Sequence, residues 1–137
     1  MNQEEENAFV AAFILPAKQD RYRQLLHSAK LRSKMLDRFN HRLDFIQSLA
    51  TRVPTEMNTS EGIENLLRQR GAGDQCYLIS DHNDLDGQAL PLAEGVTAAR
   101  RAYFATVVCC LPGRLAYYKP ESPATGYILE KSLHSAG

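Results

Sequence analysis

The sequence has no tryptophan, only three cysteines and no long hydrophobic run, and each shortage excludes a class of protein. The longest apolar stretch, residues 8–15, is far shorter than the roughly 20 residues of a membrane-spanning helix. Three cysteines are an odd number, and Cys109 and Cys110 are adjacent. A small secreted disulfide scaffold would carry evenly paired cysteines. We therefore expect reduced thiols and a cytoplasmic location.

The distribution of charge argues against two further classes of protein. Sixteen basic residues balance sixteen acidic ones, so the chain as a whole is not a polycation built for nucleic acids or membranes. Glu4, Glu5 and Glu6 precede the apolar stretch where a secretory signal carries positive charge, so no export signal is expected. The composition is that of a globular protein, and 137 residues predict one domain over 1–137.

The N-terminal part, residues 8–71, is predicted to be mainly helical, after an acidic and disordered lead-in over residues 1–7. Periodicity cannot distinguish strand from helix for residues 8–15. We favour a buried strand there, because Pro16 disfavours the helical conformation of Leu15.

From residue 17 to residue 51 the chain has no glycine or proline. Two hydrophobic stripes have helical spacing: the first comprises Tyr22, Leu25, Leu26 and Ala29, and the second comprises Leu36, Phe39, Leu43, Ile46 and Ala50. The stripes are rotated relative to each other, which predicts a break near Ser28 and Ala29 and two or three helices. A single curved helix is the alternative. A further short helix is expected to carry Ile63, Leu66 and Leu67 and to end at Gly71.

Residues 75–131 change to a strand-helix-strand-hairpin pattern. Residues 75–80 and 103–111 are rich in β-prone side chains, and the segment from Pro91 to Ala99 has helical spacing. A strand, a helix and a strand in succession favour a parallel crossover. The predicted fold class is α+β, with an N-terminal layer of two or three helices packed on a small mixed β-sheet of three to five strands.

Positive charge is concentrated in residues 17–52, which hold nine basic and three acidic side chains, while the rest of the chain holds seven and thirteen. Such a face could bind nucleic acid or a phosphorylated ligand. It could equally pair with the acidic part of the same chain or with a second copy, so a homodimer is also predicted. The candidate ligand-binding residues of this face are Arg32, Lys34, Arg38, His41 and Arg42.

The segment from Asp81 to Gly87 resembles a calcium-binding loop in its acidic content only. With Gly87 at the sixth position of an EF-hand, His82 would occupy the first position and Ala93 the twelfth, where carboxylates are required. We interpret the segment as a turn whose aspartates bond local backbone N–H groups. Neither a metal nor a cofactor is expected.

Two other groups are candidates for function. Cys109 or Cys110 could act as a nucleophile with His82 as its base, although buried packing is the simpler role for a free cysteine. Tyr117 and Tyr118 are adjacent on a predicted strand and should face opposite sides of the sheet. At least one of them is therefore expected to be exposed or half-exposed and available for binding.

The function that follows is that of a small non-enzymatic binding or regulatory (accessory) protein of unknown ligand. It would act through the basic helical face or the tyrosine-bearing sheet. The alternatives are nucleic-acid or phosphate-ligand binding through the basic helices, and a cysteine-dependent enzyme using Cys109 or Cys110 with His82. A protein partner or a second copy of the chain is expected, and no membrane association.

Overall fold

A computed structural model describes residues 2–38, 44–121 and 125–131, except the side chains of Met35 and Arg38. In this part of the chain the fold is α+β, with five α-helices and an open six-stranded sheet whose neighbouring strands are all antiparallel. The helices are α1 (Gln3–Phe13), α2 (Gln19–His27), α3 (Arg32–Arg38), α4 (Ser60–Gln69) and α5 (Leu92–Arg101). The strands are β1 (Ala50–Arg52), β2 (Gln75–Ser80), β3 (Ala89–Pro91), β4 (Thr106–Leu111), β5 (Leu115–Lys119) and β6 (Tyr127–Glu130).

The strands are ordered β1-β6-β5-β4-β2-β3 across the sheet. Side chains alternate between its two faces, and each face is covered by helices. Residues of α1, α2 and α3 pack on one face, against side chains such as Ile79 and Val107. Residues of α4 and α5 pack on the other, against side chains such as Leu78 and Val108. The central strands are consequently buried on both sides.

The N-terminal segment is helical, which corrects two expectations. Helix α1 begins at Gln3, so residues 3–7 are not a disordered lead-in, and most of residues 8–15 is helix rather than strand. The side chain of Asn2 caps the helix by accepting a hydrogen bond from Glu5 N–H at 3.1 Å. Three glutamates in the first turn complement the positive end of the helix dipole. Asn followed three residues later by Glu, just before an apolar run, is a helix-start signal.

The predicted break in the basic helical region is confirmed. Helix α2 ends at His27, and Ser28 has extended backbone angles at the helix terminus. The second hydrophobic stripe does not continue as a helix to its end, because Ala50 lies in strand β1 and pairs with Leu129 of β6. Sheet pairing at the edge therefore outweighs the local helical spacing.

The sheet differs from its prediction in strand number and direction. It is antiparallel and six-stranded, not a mixed sheet of three to five strands. The predicted parallel crossover from β2 to β4 is wrong, because these strands are antiparallel, with Tyr77 opposite Cys109. Short strand β3 pairs back on β2 before α5 begins. This extra reversal of the chain changes the direction in which β4 enters the sheet.

No helix among the residues described has both the length and the hydrophobicity required to cross a bilayer.

Candidate functional site

A buried arginine lies at the start of α3. Arg32 is 7% exposed, and its guanidinium is held between two carboxylates. Nη1 and Nη2 donate to the two oxygens of Glu6 at 2.8 and 2.6 Å. Nε and Nη2 donate to the two oxygens of Asp86 at 2.6 and 3.0 Å. Both pairs are bidentate, so the planar fork of the guanidinium fixes the relative positions of α1, α3 and the turn before β3.

The remaining donor of Arg32 is also used, because Nη1 donates to the carbonyl oxygen of Leu26 at 3.0 Å. A guanidinium has five N–H donors, and all five have acceptors within the protein. Burial by itself lowers the pKa of Arg32, but the hydrogen bonds and charges of Glu6 and Asp86 raise it above its ordinary value. Arg32 is therefore a fixed cation inside the fold.

Tyr77 of β2 extends this network towards the N-terminus. Its hydroxyl donates to Glu6 Oε2 at 2.6 Å and accepts from the backbone N–H of Asn2 at 3.0 Å. Burial raises the pKa of Tyr77, and the hydrogen bond to Glu6 raises it further. The phenol is consequently protonated and acts as a donor to the glutamate.

Local structure positions the aspartate of the network. The Asp81–Gly87 segment folds as a turn in which Leu85 and Asp86 donate backbone hydrogen bonds to the carbonyl oxygen of His82. Gly87 has a φ of 80°, which a side chain would disfavour. Asp86 Oδ1 also accepts from the backbone N–H of Ser80 at 3.1 Å, as the turn interpretation predicts. The motif thus orients Asp86 towards Arg32.

In the described part of the chain, no group of three or more His, Cys, Asp or Glu side chains is arranged to hold a metal ion.

A cleft of about 500 Å³ opens beside the ion network. Its polar wall includes Glu6, Arg32 and Asp86, and its apolar wall includes Leu26 and Leu36. Gln3, Ser33 and Asn83 complete the lining with neutral polar groups, and His27 and Ala29 also contribute to it. The combination of a few fixed polar groups with apolar side chains is typical of small-molecule sites.

The structure separates the residues predicted for the basic face. Arg32 is buried in the network and has no donor left for a phosphate, whereas Lys34 is exposed and does not line the cleft. The side chain of Arg38, together with His41 and Arg42, lies outside the described residues. Nucleic-acid binding through the other basic residues stays a prediction, and Arg32 is removed from its phosphate contacts.

Both predicted binding tyrosines are buried, so the expectation of an exposed one is wrong. Tyr117 and Tyr118 are each 0% exposed. They do face opposite sides of the sheet, with Tyr117 packed among residues of α4 and α5, and Tyr118 among those of the N-terminal helices. The ring of Tyr118 contacts Phe45 edge-on, at 4.7 Å between centroids. Helices on both faces remove the solvent-exposed side that a two-layer fold would have left.

The cysteines have the environment of packing residues. All three are free and buried, and Cys109 and Cys110 face opposite sides of the sheet. Burial raises the pKa of Cys109 well above its ordinary value and raises that of Cys110 as well. A nucleophilic cysteine needs the opposite shift, because the thiolate is the reactive form. His82 instead places its ring beside that of Phe104, with centroids 6.2 Å apart.

Sequence reasoning missed Glu6 and Tyr77 as members of a site. Their hydrogen bond joins residues 71 positions apart, and the Arg32–Asp86 pair joins residues 54 apart. No local spacing connects such positions, so only the packing of α1 on β2 brings them together. The cap at Asn2 was the one available signal, because it places Glu6 on a helix.

Comparison with protein-family models, with curated proteins and with solved structures finds no match to this chain.

Proposed function

We propose that this chain is a non-enzymatic binding or regulatory (accessory) protein that takes a small polar ligand into the cleft beside Arg32. The observation that carries the proposal is the coincidence of the cleft with the buried ion network. A volume of about 500 Å³ falls within the range of small-molecule pockets.

The network supports binding because it holds the cleft walls in place before a ligand arrives. Glu6 belongs to α1, Arg32 to α3 and Asp86 to the turn before β3, and bidentate hydrogen bonds join all three. Walls ordered in advance lower the entropic cost of binding. The cleft replaces the basic face and the tyrosines as the binding surface in this proposal.

The proposal also includes a cellular location and an oligomeric state. The three free, buried thiols fit a reducing compartment, so we retain a cytoplasmic location. A homodimer also stays a prediction, motivated by the opposite charges of residues 17–52 and the remainder of the chain. A cysteine-dependent enzyme is disfavoured by the raised pKa of the thiols.

The binding proposal is tested by mapping amide chemical shifts while n-butylammonium, butyramide or butyrate is added. We expect at least one probe to shift the amides of Gln3, Ser33 and Asn83, which line the cleft. Ser33→Trp should abolish these shifts, because the indole would occupy the cleft rim.

Asn65→Trp is the matched control. Asn65 is exposed and uncharged, as Ser33 is, and it belongs to α4, which packs on the opposite face of the sheet and does not line the cleft. The control should therefore bind like the unchanged protein. Absence of cleft shifts with every probe, or equal effects of the two tryptophans, would overturn the proposal.

A further inference from the structure

We propose that the cleft selects a small organic cation bearing N–H donors, a primary ammonium or a guanidinium, over anions of the same size. This inference rests on the proposed binding function and names the chemical class of its ligand. It reverses the expectation drawn from the basic sequence around Arg32.

The first step concerns the donors in the cleft. Arg32 is the one arginine among the described lining residues, yet all five of its N–H groups already have acceptors in Glu6, Asp86 and Leu26. An anion could gain these donors only by breaking buried bidentate pairs. Breaking such a pair leaves a carboxylate uncompensated, which is strongly unfavourable.

The second step concerns the acceptors. An ionised carboxylate offers about four lone-pair sites. Glu6 uses three of them, two for Arg32 and one for Tyr77. Asp86 also uses three, two for Arg32 and one for the backbone N–H of Ser80. Each carboxylate therefore retains one acceptor site. Glu6 is 1% exposed, so Asp86, which also lines the cleft, is the acceptor offered to a ligand there. An ionised acceptor of this kind suits the N–H donor of a cation.

The third step concerns charge. Among the described lining residues, two carboxylates and one guanidinium give a formal charge of −1, with His27 counted as neutral. This charge favours a cation over an anion at the cleft wall.

The apolar wall of the cleft favours a ligand whose uncharged part is a short alkyl chain. Leu26, Ala29 and Leu36 lie along the cleft with the ion network. A short alkyl chain could pack against them while its charged end reaches Asp86. An alkylammonium or alkylguanidinium meets both requirements.

The test compares three probes of similar size: n-butylammonium, butyramide and butyrate. Affinities come from chemical-shift titration at about pH 8, where histidine side chains are largely neutral. The cation should bind at least about tenfold more tightly than butyrate, and its affinity should fall as salt is added.

Two exposed positions provide charge variants that spare the buried network. Asn83→Lys adds a cation at the cleft and should weaken n-butylammonium binding about fivefold, whereas Asn83→Asp should strengthen it by a similar factor. Asn65→Lys makes the same charge change on α4 and should leave binding unchanged, because α4 packs on the opposite face of the sheet.

The outcomes separate this inference from the function on which it rests. If butyrate or butyramide binds in the cleft as tightly as the cation, the ligand class is wrong and the binding proposal survives. If Asn65→Lys weakens binding as much as Asn83→Lys, net charge rather than the cleft is responsible, and the inference is overturned. If no probe shifts the cleft amides, both proposals fail.

Discussion

Arg32 illustrates how a residue's surroundings determine what its charge can do. On an exposed helix it would present donors to phosphates, as the neighbouring basic residues suggest. In the folded chain its guanidinium is enclosed by Glu6 and Asp86, and every donor is occupied. Its main consequence is structural, because two buried carboxylates depend on it for compensation.

Replacing Arg32 by methionine should therefore destabilise the protein strongly. Glu6 and Asp86 would remain buried without their cation, and breaking a buried pair in this way costs about 3–5 kcal/mol. Urea unfolding at neutral pH measures the loss.

Arg70→Met is the control for this change. It breaks the exposed pair with Glu130 at 3.2 Å, and such surface pairs contribute about 0–1 kcal/mol. Similar losses in the two variants would show that the network at Arg32 is not a buried electrostatic unit.

At the scale of elements, close approach between α5 and the sheet depends on a missing side chain. Gly95 is buried on the face of α5 that packs against β2. A Cβ at this position would overlap the sulfur of Cys76. Glycine lowers helix propensity, so its presence inside α5 reflects the tight packing of helix on strand.

Gly95→Ala should consequently destabilise the protein although alanine is the better helix former. We expect the free energy of unfolding, measured by denaturant titration, to fall by about 1 kcal/mol. Overpacking costs about 1–3 kcal/mol, and the higher helix propensity of alanine offsets up to about 1 kcal/mol of this. In a Cys76→Ala background the overlap disappears, and the same substitution should become neutral or stabilising.

Gly73→Ala provides the comparison for this pair of measurements. An added Cβ at Gly73 meets no atom within 4 Å. The stability of Gly73→Ala, measured by denaturant titration, should be unchanged or slightly higher than that of the unchanged protein. A loss at Gly73 as large as that at Gly95 would contradict the packing explanation.

For the whole molecule, the two-sided burial of the sheet links stability to alkaline pH. Burial raises the pKa of Cys76 from 9.0 to about 11 and that of Tyr117 from 10.0 to about 12. The pKa values of Cys109 and Cys110 are also raised by burial. These groups keep their protons in the folded state at pH values where the unfolded chain releases them.

The free energy of unfolding should therefore fall as pH rises from about 9 to about 11. Each thiol contributes a slope of about one kcal/mol per pH unit in this window, and below it both states are protonated and the slope from the thiols vanishes. Lys119 acts in the opposite sense, because burial lowers its pKa, but it is one group against several.

Denaturant titrations between about pH 8 and 11 measure this dependence. Cys76→Ala should reduce the slope of the free energy of unfolding against pH by the contribution of one thiol. A stability that is constant, or that rises, across the window would refute the claim that the thiols and phenols are buried in their neutral forms.

Local patterns in the sequence determined the α+β class, the break after α2, the strands β2 and β4, and helix α5. These features depend on helical spacing, on turn residues and on β-prone side chains within a few positions of one another. Helix α1 could also have been predicted, from Asn2 and the glutamates that follow it. Pro16, which follows the apolar run of this helix, instead favours a strand.

The tertiary structure alone decided the strand order, the burial of Tyr117 and Tyr118, and the network that lines the cleft. Glu6, Arg32, Tyr77 and Asp86 come together only when α1 and α3 pack on one face of the sheet. Short-range patterns specify local conformation, whereas partners distant in the chain depend on how whole elements pack. The sequence determines that residue 32 carries a positive charge, and the fold determines that two carboxylates neutralise this charge.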